Sequence, residues 1–158
     1  MRDHEPVSEL AKLFTYTDQT QYGRVIVQTT NLERMLERLL KAKMVNGNSE
    51  FRAKMFSGYG PLATFSAKID MCYGLGILDR TMMEKLHHMR AVRNAFAHSD
   101  DIIDFAHQSF KSKEKIKNNP LAANETAFFV GAAEIFDYLL PKLETAVLVQ
   151  AIKSHGKK

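Results

Sequence analysis

The feature that most restricts the fold is the long apolar repeat between Tyr22 and Met44. Apolar residues recur there at steps of three, four and seven residues, and charged residues occupy the opposite face. This period is typical of an amphipathic α-helix, which must bury its apolar face against other elements. The residues expected on the buried face are Val25, Leu32, Leu36 and Leu39.

Three further helices are predicted before residue 100. A short one runs from Ser49, its expected N-cap, to Phe56. The next opens at Pro61, since the missing N–H of proline costs nothing in a first helical turn. The helix after that starts at the N-cap Asp79 and ends near His98. The helix from Pro61 carries the apolar stripe Leu62, Phe65, Ile69, Cys72 and Tyr73, and the helix from Asp79 carries Met82, Leu86, Met89 and Phe96.

The last helix is predicted from Asn124, a favoured N-cap residue, toward Ile152. Pro141 lies within it and removes one backbone donor, so a kink is expected near residues 137–140. The pattern does not decide the conformation of residues 100–123, where Phe105 to Ile116 fits either a short helix or a loop.

These segments together predict an all-α fold, because every regular repeat has the helical period and none alternates as a strand does. At 158 residues the chain suits one domain. We therefore expect a single helical bundle over residues 1–158, of about five to seven helices, with a long second helix and a kinked C-terminal helix. Residues 1–5 and 153–158 are expected to be frayed tails.

Composition excludes several classes of protein. The only cysteine, Cys72, forms neither an internal disulfide nor a cysteine-based zinc site. No apolar segment is long enough for a membrane span or a leader, so a cytoplasmic location is expected. The net charge of +4 lies mainly in residues 111–117 and 153–158, and such runs are usually solvated surface. No cofactor is predicted, and no metal either, since neighbouring His87 and His88 point about 100° apart.

The most informative segment runs from Arg90 to His98. Arg93 is in phase with the apolar stripe of its helix, so we expect it to be largely buried and bonded to a carboxylate or to helix-terminal carbonyls. Asp70 is the best candidate for the carboxylate. Asn94 and His98 lie one turn apart on another face, and Arg90 extends that line. In one interpretation these residues are structural: Asn94 ties a neighbouring helix terminus, and His98 caps the last carbonyls of its own helix. In the other, Arg93 binds a phosphate while His98 acts as acid or base.

At these residues the sequence resembles the mannitol operon repressor family, called MtlR, and through it the HEPN superfamily of helical domains. HEPN proteins carry an Arg, a following polar residue and a His a few positions later, as in Arg93, Asn94 and His98. The stretch from Gly58 to Ser99 resembles MtlR more closely. The matching positions are Gly60, Pro61, Leu62, Thr64, Phe65, Ser66, Lys68 and Ile69, then Arg90, Arg93, Asn94, Phe96, Ala97 and His98.

The resemblance implies a transcriptional regulator of sugar-alcohol uptake, and the superfamily implies two ways of working. Some HEPN proteins are metal-independent ribonucleases that join Arg and His across a dimer, and others are interaction modules without activity. The sequence has no helix-turn-helix, and the helix of Leu62 to Tyr73 offers only Lys68 as a cation. Our main hypothesis is therefore a regulator that contacts another protein, with a homodimer possible and no specific DNA binding by the chain alone. The alternative is a ribonuclease that uses Arg93, Asn94 and His98 on RNA, and a repressor that binds DNA directly ranks third.

Overall fold

The computed structural model of the chain describes residues 20–99 and 103–155, and this part is helical. Seven α-helices and one 3-10 turn follow one another among these residues. They are α1 (Gln21–Lys43), α2 (Ser49–Phe56), α3 (Phe65–Gly74), α4 (Arg80–Ala97), α5 (Gln108–Lys111), α6 (Glu114–Lys117), the 3-10 turn Pro120–Ala122, and α7 (Glu125–His155). The prediction of an all-α bundle is confirmed. Residues 1–5 and 156–158 of the expected tails lie outside the described residues, whereas residues 153–155 still belong to α7.

The helix starts are set by side chains that accept backbone hydrogen bonds. Asp79 caps α4 by accepting from Met82 N at 2.8 Å, and Asn124 caps α7 by accepting from Ala127 N at 2.8 Å. Both caps are as predicted. The prediction of Ser49 as the cap of α2 is wrong by one residue, because Asn48 takes that role.

The core forms where α1 packs against α3, α4 and α7. The predicted inner residues of α1 are buried, and so are those of α4 except Met82, which is partly buried. Leu32, Leu36, Leu86 and Met89 have no exposed surface. Near the end of α4, Phe96 lies in an aromatic cluster with its ring centroid 5.0 Å from those of both Phe105 and Phe110. Phe105 lies in a turn, and Phe110 belongs to the one-turn helix α5. Residues 105–116 therefore form turns and two one-turn helices, α5 and the start of α6, rather than one short helix or a loop.

The region around Pro61 differs from the prediction. Pro61 lies in a turn, and α3 begins four residues later at Phe65 with Thr64 as its N-cap. The N–H of Leu62 is engaged by the carbonyl of Met55 at 2.9 Å, which closes the end of α2 instead of starting a new helix. The residues predicted for the apolar stripe of this helix are buried, except Tyr73, whose side chain is exposed.

Helix α7 is the longest element, with 31 residues that run through Pro141 without a break in the helix. Its buried residues end at Leu143. The remaining three turns, residues 144–155, therefore extend along and past the end of the packed core. None of the helices described here has the combined length and apolar character that crossing a membrane requires.

Candidate functional site

The first half of the resemblance motif closes the end of α2. A Cβ atom on Gly60 would overlap the carbonyl oxygen of Lys54 and lie 2.5 Å from that of Met55. Only glycine allows the chain to pass so close to the last turn of α2. Pro61 next to it is exposed, and Phe65 is buried and Ser66 partly buried in the first turn of α3. This half of the motif therefore builds structure.

Lys68, the only cation that the sequence offers on this helix, is buried in ion pairs rather than exposed. Its side chain is 5% exposed, and its Nζ donates to Glu33 Oε1 at 2.7 Å and contacts Glu37 Oε2 at 3.0 Å. Burial opposes the charge on Lys68, but the two carboxylates outweigh it and raise its pKa. For Glu37, burial is likewise outweighed by the bonds from Lys41 and Lys68, which lower its pKa. Lys68 therefore joins α3 to α1 and is not available for a ligand.

The predicted pairing of Arg93 with Asp70 is wrong. Asp70 Oδ1 lies 2.8 Å from Nε2 of His87 instead. Arg93 is six residues further along α4, which is about 9 Å along the helix axis, and α3 does not offer a carboxylate there. The guanidinium of Arg93 is only partly buried, and its Nη1 donates to Asn94 Oδ1 at 3.2 Å. Among the described residues Arg93 has no ion pair.

Arg90 and Asn94 line one side of a groove of about 270 Å³ between α4 and α6. Lys113 and Lys115 lie on the opposite side, and Glu114 is the single acidic residue of the lining. The Nε atom of Arg90 is buried and has no hydrogen-bond partner in the described part of the chain. The groove thus has an excess of positive charge at the end of α4.

His98 is the first residue beyond α4. Its backbone N–H bonds the carbonyl of Asn94 at 3.0 Å, while its side chain is exposed. No described residue is hydrogen-bonded to the imidazole, so the expected capping of helix carbonyls by this ring does not occur. The structure thus places Arg93, Asn94 and His98 on the same helix end, with Arg93 and Asn94 in contact.

Two contacts at this helix were not predicted. Lys113 Nζ donates to the carbonyl of Ala95 at 2.9 Å, and Asn119 Nδ2 donates to the carbonyl of His88 at 2.7 Å. Both donors belong to the region 100–123, whose conformation the sequence pattern left open. Lys113 caps a carbonyl of the last turn of α4, whereas Asn119 bonds a carbonyl in its middle. A donor that arrives from another part of the chain leaves no local signal in the sequence of the helix.

Comparison of the chain with protein-family models, with curated proteins and with solved structures found no match. The resemblance to MtlR therefore depends on the residues quoted above, and the family and its activities stay predictions.

Proposed function

We propose that this chain is a transcriptional regulator of the MtlR kind that acts by contact with another protein. The observation that carries the proposal is the apolar surface of residues 144–155. Leu148 is 64% exposed and Ile152 71% exposed, and Val147 and Val149 are also exposed. These side chains point to several sides of the helix, and a helix that is apolar on most sides is normally buried against something.

The buried residues of the resemblance motif support a scaffold that presents such a surface. Gly60, Phe65, Lys68 and Phe96 hold α2, α3 and α4 in place through close packing, a buried ion pair and the aromatic cluster. None of these four is free to touch a substrate. A motif used in this way favours a shared fold with varied surfaces over a shared catalytic centre.

Direct reading of DNA has less support. Helices α2 and α3 are separated by eight residues, more than the short turn of a helix-turn-helix. The one cation of α3, Lys68, is buried. Helix α3, the second helix of this pair, therefore offers no basic recognition surface.

The proposal is tested by transcription of the sugar-alcohol uptake operon in cells that encode the chain. Deletion should raise the transcript severalfold in the absence of the sugar alcohol, and the wild-type chain should reverse this. The double variant Leu148→Asp/Ile152→Asp should not reverse it, whereas Val130→Asp, at another exposed site of α7, should. An unchanged transcript after deletion would refute the proposal. Specific operator binding by the purified chain at physiological salt would assign repression to direct DNA contact.

A ribonuclease is the second candidate, and the accessibility of Arg93 and His98 in the second half of the motif favours it. Arg93 has no carboxylate partner among the described residues, His98 is exposed, and the groove beside Asn94 is cationic. In this hypothesis Arg93 binds a phosphate, Asn94 orients it, and His98 serves as acid or base for attack by a 2′-hydroxyl.

Single-stranded RNA incubated with the purified chain in a chelator distinguishes the two candidates. Cleavage that His98→Ala abolishes and His107→Ala preserves would favour the enzyme, because His107 is also exposed but lies outside the motif. Intact RNA under these conditions would leave the regulator as the only candidate.

A further inference from the structure

A groove of about 540 Å³ lies between the C-terminal parts of α1 and α7 and the turn after α3. Its apolar lining includes Leu39 of α1, Ile77 of the turn, and Ala146 and Val149 of α7. Leu39 and Ile77 belong to the core, whereas Val149 is exposed. The groove is therefore a continuation of the core that no described residue covers.

Three lysines lie around this apolar lining, and none of the described residues that line it is acidic. They are Lys43 at the end of α1, and Lys142 and Lys153 on α7. None of them has an ion pair in the described part of the chain. The ammonium of Lys142 lies 4.7 Å from the ring centroid of Tyr138, a cation–π contact that involves no opposite charge. An apolar floor with three such lysines is complementary to an apolar stripe flanked by carboxylates.

The length of the groove wall suits a helix. Residues 144–155 span three turns, or roughly 18 Å at 1.5 Å per residue. A partner helix of the same length presents apolar residues at positions i, i+3 or i+4, and i+7, the spacing used when a helix binds in a hydrophobic groove.

We propose that this groove binds an acidic amphipathic helix of a protein partner. This inference rests on the proposed function and specifies one face of the apolar surface of residues 144–155. Val149 of that surface lines the groove, whereas Leu148 and Ile152 lie outside its lining. The corresponding helix of a second copy is a poorer occupant, since residues 144–155 carry Glu144 as their one acidic residue and bring Lys153 toward three lysines. A lipid surface is also poorer, because a concave groove does not match a flat bilayer.

The probe is a synthetic helical peptide of about 16 residues with leucines at i, i+3, i+4 and i+7 and glutamates at most other positions. A matched peptide carries lysine in place of every glutamate. Binding of each labelled peptide to the full chain is measured by fluorescence anisotropy at about 0.15 M salt. The acidic peptide should bind at least about tenfold more tightly than the basic one.

Two sets of variants locate the binding. Val149→Asp should abolish binding of the acidic peptide. Val130→Asp should leave it unchanged, because Val130 is an exposed valine of the same helix that lies outside the groove. The triple variant Lys43→Gln/Lys142→Gln/Lys153→Gln should weaken binding about tenfold and flatten its salt dependence. The control is Lys54→Gln/Lys111→Gln/Lys117→Gln, which removes the same charge from exposed residues of α2, α5 and α6 and should leave binding unchanged.

Four results would overturn the proposal. They are no binding of the acidic peptide, equal binding of both peptides, dimerisation in sedimentation that Val149→Asp abolishes, and binding to anionic vesicles that Val149→Asp abolishes. The last two identify a second copy or a membrane as the occupant. If the peptide fails but deletion of the chain still raises transcription, the regulator stands and the groove is excluded. If the peptide binds but deletion has no effect, the groove stands and the proposed function is excluded.

Discussion

Replacement of Lys68 by methionine tests the buried ion pair between α3 and α1. Methionine keeps an apolar stem of similar length and removes the charge, which leaves Glu33 without its cation. Glu37 keeps Lys41 as a partner. The two carboxylates are four residues apart on α1, so their mutual repulsion also increases.

The cost follows from the exposure of the three groups. Breaking a fully buried pair costs about 3–5 kcal/mol, and breaking an exposed one costs less than about 1 kcal/mol. Lys68 is 5% exposed, but Glu33 is 20% and Glu37 25% exposed, so water relieves part of the penalty. We therefore expect Lys68→Met to lower the free energy of unfolding by about 3 kcal/mol. In a chain of this size that corresponds to a fall in Tm of roughly 6–12 °C.

Urea unfolding followed by circular dichroism measures the change. Lys85→Met is the matched control, because Lys85 pairs with Glu134 on the surface, and it should cost about 0.5 kcal/mol. Equal losses in Lys68→Met and Lys85→Met, or a loss below about 1 kcal/mol in Lys68→Met, would refute the reasoning. The double variant Lys68→Met/Glu33→Gln should recover part of the loss, since it removes the carboxylate left without a partner.

The pH dependence of the same difference provides an independent check. The raised pKa of Lys68 means that its contribution is complete below the ordinary lysine pKa of about 10.4 and disappears as pH rises through the folded value. The lowered pKa of Glu37 means that its contribution is complete above about 4.3 and disappears as pH falls through the folded value. The difference between wild type and Lys68→Met should therefore be constant from about pH 5 to 10 and shrink outside that range.

Three further outcomes follow from the structure. Gly60→Ala should lower the free energy of unfolding in urea by more than about 3 kcal/mol, because the oxygens that its Cβ meets are backbone atoms. Gly58→Ala, at φ +60° in open space, should lower it by about 1–2 kcal/mol. Similar losses in the two variants would contradict this reasoning. Burial raises the pKa of the Cys72 thiol to about 12, so Ellman's reagent at pH 8 should label it only as fast as the chain unfolds, and labelling within seconds in the native state would be inconsistent. Arg93→Ala should lower the free energy of unfolding by less than about 1 kcal/mol; a loss of several kcal/mol would show that it has a buried partner.

The helices of this chain could be predicted because their causes are local. The repeat of α1, the cap at Asp79 and the cap at Asn124 each depend on residues within one or two turns. The helical period also predicted which side chains are buried, and Leu86, Met89 and Phe96 have no exposed surface. Periodicity and capping were therefore sufficient for the architecture.

The errors arose where distant parts of the chain meet. Pro61 has the chemistry of a helix start, but the carbonyl of Met55 takes the N–H of Leu62 and holds the segment in a turn. Arg93 has the phase of a buried residue, but the carboxylate chosen for it lies about 9 Å away along the axis, beside His87. Phase gives the direction of a side chain, whereas the partner depends on how far two helices are shifted along each other.

The resemblance motif therefore has two parts with different physical roles. Gly60, Phe65 and Lys68 are held in place by backbone contact, core packing and ion pairing, so their substitution changes stability before it can report on function. Arg93 is partly exposed and His98 is exposed, and neither forms an ion pair with a described residue. Only substitutions in the accessible part can therefore report on function without first changing stability. Variants at Arg93 and His98 that leave the unfolding curve unchanged are consequently the ones that separate a regulator from a ribonuclease.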